Sequence, residues 1–127
     1  MLIYLGLKID NKTLSLDILR LKHILFICGQ NRWRSPTAEH VFAEYPGLDC
    51  ASAGLNHDAD NPVTAELVKW ADIIFVMERE HKAKLTSRFN AQLGDKRIVS
   101  LEIPDKYKFM DPALVELLKA KVTHLLT

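Results

Sequence analysis

The stretch from residue 24 to residue 39 constrains the fold of this chain more than any other part of its sequence. A run of apolar residues leads into Cys28, five residues separate Cys28 from Arg34, and apolar residues then recur at helical spacing. Pro36 suits the first position of a helix, because that position needs no backbone N–H. The pattern predicts a strand, a tight loop and a helix that begins after Ser35.

The same spacing suits the binding of an anion beside a nucleophile. A loop that joins a strand to a helix directs several backbone N–H groups at one point, and the helix dipole adds positive charge there. That field favours the thiolate form of Cys28. Arg34 offers a planar pair of donors that remains charged, and Ser35 can either cap the helix or donate a hydrogen bond to the thiolate. A phosphate group would fit this arrangement.

Apolar and amphipathic segments alternate along the rest of the chain. The predicted strands are residues 22–27, 48–52, 73–77 and 97–103. The predicted helices run from residue 35 to about 45, from 61 to about 70, from 80 to 89, and from 111 onward. This alternation predicts βαβ units and a mostly parallel sheet. In such a sheet, ligands bind beyond the carboxyl ends of the strands, where Cys28 would lie.

Several side chains within these elements have predicted environments. Asn61 and Pro62 are expected to start the second helix as its cap and first residue. The third helix is expected to turn Ala83 and Leu85 inward. Cys50 is expected to be a small buried hydrophobe. Three histidines on polar segments are expected at the surface: His57, His81 and His124.

Composition argues against several classes of protein. A length of 127 residues is one domain's worth, and a net charge of +1 argues against a general binder of nucleic acid or acidic membranes. The apolar runs are too short to span a bilayer and the N-terminus does not resemble a signal peptide, so a cytoplasmic protein is expected. The two cysteines give neither a disulfide framework nor a metal-ligand spacing, and no metal site is predicted.

At the loop, the sequence resembles the low-molecular-weight protein tyrosine phosphatases. Their signature is Cys-x5-Arg-Ser-Pro after the first strand, with an Asn three residues after the Cys, a nearby Ala-Glu and a later Ser-Ala-Gly. The matching residues here are Cys28, Asn31, Arg34, Ser35, Pro36, Ala38, Glu39 and residues 52–54.

The resemblance implies a fold for residues 22–127. It is a three-layer α/β/α domain with a four-stranded parallel sheet in the order 2-1-3-4 and the phosphate loop after strand 1. Residues 1–21 precede this domain as an N-terminal extension of unknown role. Residues 2–5 and 13–16 could pair as a hairpin, or the segment could equally be a loosely held extension or a partner-binding arm.

The resemblance also implies the chemistry. Cys28 would attack phosphorus to form a cysteinyl-phosphate, an aspartic acid would protonate the leaving group, and water would hydrolyse the intermediate without a metal or cofactor. The substrate would be a phosphorylated protein or a small phosphate ester. Its phosphate would be held by the loop residues Gly29, Gln30, Asn31, Arg32, Trp33, Arg34 and Ser35.

Two residues are candidates for the acid. In the family it lies in an Asp-Pro-Tyr loop near the C-terminus. Asp105 is favoured because it directly follows a predicted strand and has Tyr107 two residues later, as the family has. Asp111 has a structural explanation instead, as the N-cap of the last helix with Pro112 at the first helical position.

The sequence departs from the family pattern in the segment after the second predicted strand and at two positions of the loop. The segment 55–72 is much shorter than its family counterpart, which forms part of the wall around the phosphotyrosine ring. In the loop, Gln30 replaces a family Gly, and a positive φ there would carry strain. Trp33 stands where the family often has a second Cys, and it could flank the site or pack inward.

Two other functions stay open at this point. Arsenate reductases share the fold and the loop, but their thioredoxin-linked mechanism needs two further cysteines, which Cys50 alone cannot supply. The second alternative is a non-catalytic module that binds phosphate or a partner protein. Such a module has no need of a reactive thiol, so the combination of Cys28, Arg34 and an aspartate favours the phosphatase.

Overall fold

The computed structural model describes residues 21–126. Its strands are β1 (Lys22–Cys28), β2 (Leu48–Gly54), β3 (Ile73–Val76) and β4 (Arg97–Ser100). Its helices are α1 (Arg34–Phe42), α2 (Ala65–Trp70), α3 (Arg79–Leu93) and α4 (Pro112–Val122), with a 3-10 turn at Thr123–Leu125. The hairpin predicted between residues 2 and 16 lies outside the described residues, and the division of the chain at residue 22 stays a prediction.

The four strands form one parallel sheet in the order β2-β1-β3-β4, which confirms the predicted fold class. In the register of the sheet, Ile27 of β1 lies between Ala53 of β2 and Val76 of β3. Because the strands are parallel, the carboxyl ends of β1, β3 and β4 meet at the same edge. The loop that follows Cys28 therefore faces the residues that follow β3 and β4.

Side chains of β1 alternate between two apolar cores, one on each face of the sheet. The first core lies beneath α1 and α4 and includes Ile24, Phe26, Phe42, Phe75, Leu114 and Leu118. The second core lies beneath α2 and α3 and includes Leu25, Ile27, Val68, Ile74, Val76 and Leu85. Burial on both faces explains why β1 is an uninterrupted apolar run in the sequence.

The second helix begins later than Asn61 and Pro62 predict. Its N-cap is Thr64, whose hydroxyl accepts a hydrogen bond from the backbone N–H of Leu67. Asn61 instead donates its side-chain amide to the carbonyl of Ser52 at 2.7 Å, and Pro62 lies in a bridge beside Gly54. The prediction was wrong because these residues extend the edge of β2 before the chain turns into α2.

The inward face of α3 also differs from the prediction. Leu85 is fully buried as expected, but Ala83 is exposed and His81 is buried. His81 and Leu85 are four residues apart and therefore share one helical face, whereas Ala83 lies between them on another face. The helix was predicted to end at Phe89, where the backbone is indeed non-helical, but it continues to Leu93.

The fourth strand ends at Ser100, three residues before its predicted end. The backbone of Glu102 has a φ of +54°, which interrupts the strand. On either side of this kink, Leu101 donates to the carbonyl of Val76 and Ile103 to that of Met77, both at 2.8 Å. The kinked segment thus stays beside β3.

Residues 21–126 include no helix that is long and apolar enough to cross a membrane. The cytoplasmic location stays a prediction.

Candidate active site at the carboxyl ends of the strands

A pocket of about 320 Å³ opens at the carboxyl edge of the sheet. Its lining includes Cys28 at the end of β1, Glu78 after β3 and Asp105 after β4, together with Arg34 at the start of α1. The parallel topology brings together residues that are up to 77 positions apart in sequence. The pocket therefore contains the predicted nucleophile, the predicted phosphate-binding arginine and the favoured acid.

The Cys28 thiol is buried at the bottom of the loop and receives two polar contacts. Its Sγ accepts a hydrogen bond from the backbone N–H of Asn31 at 3.2 Å and lies 3.0 Å from Ser35 Oγ. The side-chain amide of Asn31 donates to the same Ser35 Oγ at 2.9 Å. Since that contact uses an oxygen lone pair, the Ser35 proton can point to sulfur. Both contacts favour negative charge on sulfur.

Asn31, and not Gln30, has the left-handed backbone in this loop. Its φ is +55°, and Gln30 is absent from the residues with positive φ. Asn tolerates this conformation better than most residues, because its short polar side chain can bond locally, as it does here to Ser35. The expected strain at Gln30 therefore does not arise, although Gln30 Oε1 is buried without a hydrogen-bond partner among residues 21–126.

The helix α1 begins at Arg34, so Ser35 lies inside its first turn and not at the cap. Pro36 is the third helical residue, two positions later than predicted. The cap position is held by Trp33, whose side chain makes no capping hydrogen bond. The first N–H groups of a helix have no partner within the helix. This helix start can therefore offer them, with its dipole, to an anion in the pocket.

The Arg34 side chain is almost completely buried, and both N–H groups of its Nη1 make hydrogen bonds within the protein. Nη1 donates to Glu78 Oε2 at 2.6 Å and to the carbonyl of Ile103 at 2.8 Å. Nε lies 3.5 Å from Asp105 Oδ1. A guanidinium has five N–H donors, and the hydrogen bonds of this one within residues 21–126 all come from Nη1. Nε and Nη2 therefore form a parallel pair of donors for a ligand that approaches beside Asp105. Two phosphate oxygens fit that pair.

Glu78 and His81 also line this pocket, although the sequence predicted no role for Glu78 and predicted His81 at the surface. The hydrogen bond from Arg34 lowers the pKa of the Glu78 carboxyl, which keeps it ionised beside the guanidinium. His81 accepts the backbone N–H of Glu78 on Nδ1 at 3.1 Å. Burial, helped by the charge of Arg34, lowers the pKa of His81 and keeps its imidazole neutral. The signal for Glu78 was its position directly after a buried strand.

Glu78, Glu80 and His81 lie close enough together to share a metal ion. However, Glu78 is bound to Arg34, and Nδ1 of His81 is occupied by the Glu78 N–H. A cation here would also meet the guanidinium at close range. These residues therefore fit an arginine anchor better than a metal site.

The two candidate acids lie in different places. Asp105 lines the pocket with its side chain 62% exposed. Asp111 accepts the backbone N–H of Ala113 at 2.9 Å and is the N-cap of α4, with Pro112 at the first helical position. Just before it, the N–H of Met110 donates to Thr37 Oγ1 at 2.9 Å. The segment that carries Asp105 is thereby attached to α1.

The remaining predicted site residues surround the pocket. Trp33 lines it and is 39% exposed, so it flanks the opening and does not pack inward. Arg32 also lines it and pairs with Asp60 at 3.2 Å on the surface. Cys50 lies apart, because it pairs in register with Ile24, roughly 13 Å along β1 from Cys28. Cys50 is half-buried against the first core and not fully buried as predicted. Its burial still raises the pKa of its thiol to about 12.

No protein-family model matches this chain. Among curated proteins, it is 29% identical over 119 residues to the low molecular weight protein-tyrosine-phosphatase Etp of Escherichia coli K12, covering 71% of this chain and 80% of that one. It is 33% identical over 94 residues to the protein-arginine-phosphatase of Bacillus subtilis 168, covering 52% of this chain and 62% of that one. The alignment with Etp has 119 positions but covers only 71% of this chain, so it contains gaps in this chain. Such gaps agree with the short segment 55–72.

Solved structures agree with these relatives. Vibrio vulnificus Wzb in complex with benzylphosphonate has a TM-score of 0.68 at 24% identity, covering 83% of this chain and 97% of that one. A mutant of YwlE from Bacillus subtilis has a TM-score of 0.58 at 26% identity, covering 84% of this chain and 99% of that one. The comparison with Wzb shows a common fold.

Proposed function

We infer that this chain hydrolyses phosphomonoesters through a cysteinyl-phosphate. The inference rests on its similarity to the low-molecular-weight protein tyrosine phosphatases, of which it is a shortened and divergent relative. Its sequence is similar to those of hydrolases of this type, and its fold is the same. One observation carries the mechanism. The buried Cys28 sulfur, with its two hydrogen-bond contacts, shares a pocket with Arg34 and Asp105.

The first step is attack on phosphorus. Sγ of Cys28 forms a bond to phosphorus as the bond from phosphorus to the ester oxygen breaks. The contacts from Asn31 and Ser35 stabilise the thiolate before attack. In the second step, water attacks the same phosphorus and the thiolate leaves. The contacts that stabilise the attacking sulfur therefore also stabilise it as a leaving group.

Arg34 stabilises the charge on the transferring phosphoryl group. Its Nη1 is held by Glu78 and by the Ile103 carbonyl, which fixes the plane of the guanidinium before substrate arrives. Nε and Nη2 can then pair with two equatorial oxygens, and the backbone of residues 29–35 can bind the others. Such preorganisation matters because the charge is stabilised without any later rearrangement.

Asp105 acts as the general acid and then as the base. Its carboxyl lies at the opening of the pocket, on the side from which the leaving group departs after attack by a sulfur at the bottom. Protonated, it donates to the ester oxygen; ionised, it accepts a proton from the attacking water. Asp111 is committed to the cap of α4 and serves no such role.

The substrate is a phosphotyrosine-like group or another phosphomonoester, on a protein or on a small molecule. An exposed aromatic side chain, Trp33, flanks the pocket and can stack on an aryl leaving group. The curated relatives are named as a tyrosine phosphatase and an arginine phosphatase. The short segment 55–72 leaves less protein to enclose the ring than a longer segment would.

The two alternatives have weaker support. A reductase with internal thiols would need a second cysteine near Cys28, and Cys50 lies on a different part of the sheet with its thiol packed. A module that only binds phosphate has no use for an acid beside the arginine.

Hydrolysis of phenyl phosphate across pH tests the proposal with four proteins: the wild type, Cys28→Ser, Asp105→Asn and Asp111→Asn. Turnover should fall by at least about 10⁴-fold in Cys28→Ser and by roughly 10²- to 10³-fold in Asp105→Asn. Asp111→Asn should stay close to the wild type, since Asn also caps helices.

Mass spectrometry after rapid acid quench should find one added phosphoryl group on the wild type and none on Cys28→Ser. A wild type that binds phosphate but hydrolyses no ester would overturn the phosphatase and favour the binding module. Equal losses in the two aspartate variants would contradict the assignment of the acid.

A further inference from the structure

Gly29 leaves an opening beside the nucleophile that is surrounded by polar groups. A Cβ at this position would lie 3.4 Å from Asn56 Nδ2 and 3.9 Å from His81 Nε2. Its φ is not in the left-handed region, so the backbone does not require glycine. The missing side chain therefore opens a space between the loop and these two polar side chains.

The His81 ring presents a hydrogen-bond donor to this space. Its Nδ1 accepts the N–H of Glu78, so a neutral imidazole carries its proton on Nε2. The His81 side chain is only 8% exposed, and Nε2 lies 3.8 Å from Glu78 Oε2, beyond hydrogen-bond distance. Among residues 21–126 this N–H has no hydrogen-bond acceptor, although it lines the pocket.

Asn56 presents a second donor. Its backbone is fixed, because its N–H donates to the carbonyl of Gly29 at 2.9 Å and its carbonyl accepts from Ala59 at 3.1 Å. Its side-chain amide makes no hydrogen bond within the described part of the chain, and it also lines the pocket. Two buried or half-buried donors thus converge on one space next to Cys28. Neither nitrogen is among the fully buried unpartnered side-chain atoms of residues 21–126, so both N–H groups can be reached from the pocket by a ligand that supplies an acceptor.

We propose that Gly29, Asn56 and His81 form a polar subsite that binds a hydrogen-bond acceptor oxygen on the leaving group, close to the phosphorus. This proposal rests on the phosphatase function above and narrows its substrates. Esters that carry a carbonyl oxygen near the phosphate are preferred to those with a purely apolar leaving group. Asn56 and His81 are positioning residues and take no part in the transfer of the phosphoryl group.

Binding of non-hydrolysable ligands tests the subsite without turnover. Three phosphonates serve as probes: benzylphosphonate, its 2-carbamoyl derivative with a carbonyl acceptor, and its 2-isopropyl derivative of similar shape without one. Calorimetry should show that the wild type binds the carbamoyl ligand about tenfold more tightly than the isopropyl ligand, as expected for two neutral hydrogen bonds.

Two variants should remove this preference. Asn56→Ala deletes a side chain that bonds to nothing in the described chain, and Gly29→Ala places a methyl group in the subsite at ordinary contact distances. Lys82→Ala, on the exposed side of α3 next to His81, should keep the preference. Nitrogen-15 spectra should show a downfield shift of the His81 Nε2–H with the carbamoyl ligand but not with the isopropyl ligand.

The outcomes separate the two proposals. Equal affinity for the carbamoyl and isopropyl ligands, or a preference that survives in both Asn56→Ala and Gly29→Ala, overturns the subsite while phenyl phosphate turnover still supports the phosphatase. Failure of benzylphosphonate to bind, together with no turnover of phenyl phosphate, overturns the proposed function itself.

Discussion

Arg34 donates from Nη1 to Glu78 Oε2 at 2.6 Å, and this ion pair joins the first turn of α1 to the N-cap residue of α3, just beyond β3. The arginine side chain is only 5% exposed, whereas that of Glu78 is 34% exposed. The pair therefore lies at the boundary of the protein interior, where the buried guanidinium has lost most of its water. Its carboxylate partner both compensates that loss and sets the direction of the remaining N–H groups.

Replacing Glu78 should impair catalysis more than folding. In Glu78→Gln the charge is lost but a polar partner remains, so Arg34 stays buried with a weaker constraint on its orientation. We expect kcat/KM for phenyl phosphate to fall by about 10- to 100-fold, or roughly 1.4 to 2.8 kcal/mol. Glu116→Gln, on the exposed surface of α4, is the matched control and should change kcat/KM by less than about twofold. Equal effects of the two changes would show that Glu78 does not orient the arginine.

The left-handed backbone at Asn31 predicts a difference between two substitutions. Asn31→Gly and Asn31→Ala both remove the amide that donates to Ser35, so both should reduce turnover of phenyl phosphate by about tenfold. Only alanine adds strain at a φ of +55°, and its free energy of unfolding should be lower than that of the glycine variant by about 1 kcal/mol. Urea denaturation measures this difference. Equal stabilities would contradict the loop conformation.

Asp111 should matter for stability and not for chemistry. Asp111→Ala removes the acceptor for the Ala113 N–H and should lower the free energy of unfolding by about 1 kcal/mol. Asp111→Asn keeps a capping oxygen and should lose little. Thermal or urea unfolding of the two variants checks this, with phenyl phosphate turnover as the second readout. A large loss of turnover with unchanged stability would transfer the role of the acid to Asp111.

Stability should decrease on the acid side of neutrality. Burial lowers the pKa of His81 below its ordinary value of 6.5, so the unfolded chain takes up a proton at a higher pH than the folded one. Folding is therefore disfavoured as the pH falls below about 6.5. The pKa of Glu78 is also lowered, and the stability that it contributes is lost only below its ordinary value of 4.5.

Urea denaturation at several pH values separates the two groups. His81→Gln should reduce the slope of stability against pH between about 6.5 and 5, where one proton accounts for at most about 1.4 kcal/mol per pH unit. Lys82→Ala should leave that slope unchanged. A wild-type slope that persists in His81→Gln would assign the acid sensitivity to another group.

The parts of this structure that the sequence predicted are those encoded by local patterns. The continuous apolar run at residues 73–77 predicts a strand covered on both faces, and β3 is buried throughout. The Asp111-Pro112 pair predicts the start of α4 to the residue. The order of the strands came from the family resemblance and is confirmed. Asp105 could be placed near the site because it follows a strand, although the strand itself ends earlier than predicted.

The parts that could not be predicted depend on contacts between distant segments. His81 reads as a surface residue in a charged helix, and its burial follows from the rotation of α3 on the sheet. Similarly, Arg34 and Ile103 are in contact although 69 positions separate them in the sequence. The left-handed conformation of Asn31 follows from the sulfur and Ser35 contacts around it. Such features are set by packing and not by local propensity.

The hydrogen bond between Met110 and Thr37 affects how substrate enters the pocket and how product leaves it. The segment that carries Asp105 is fixed at one end by the bond from Ile103 to Met77 and at the other by the bond from Met110 to Thr37. Residues 104–109 thus form a short arch between two anchored points. Such an arch can adjust its side chains but cannot swing away like a hinged lid. Substrate entry and product departure therefore depend on the shape of the open pocket and need no large closing motion.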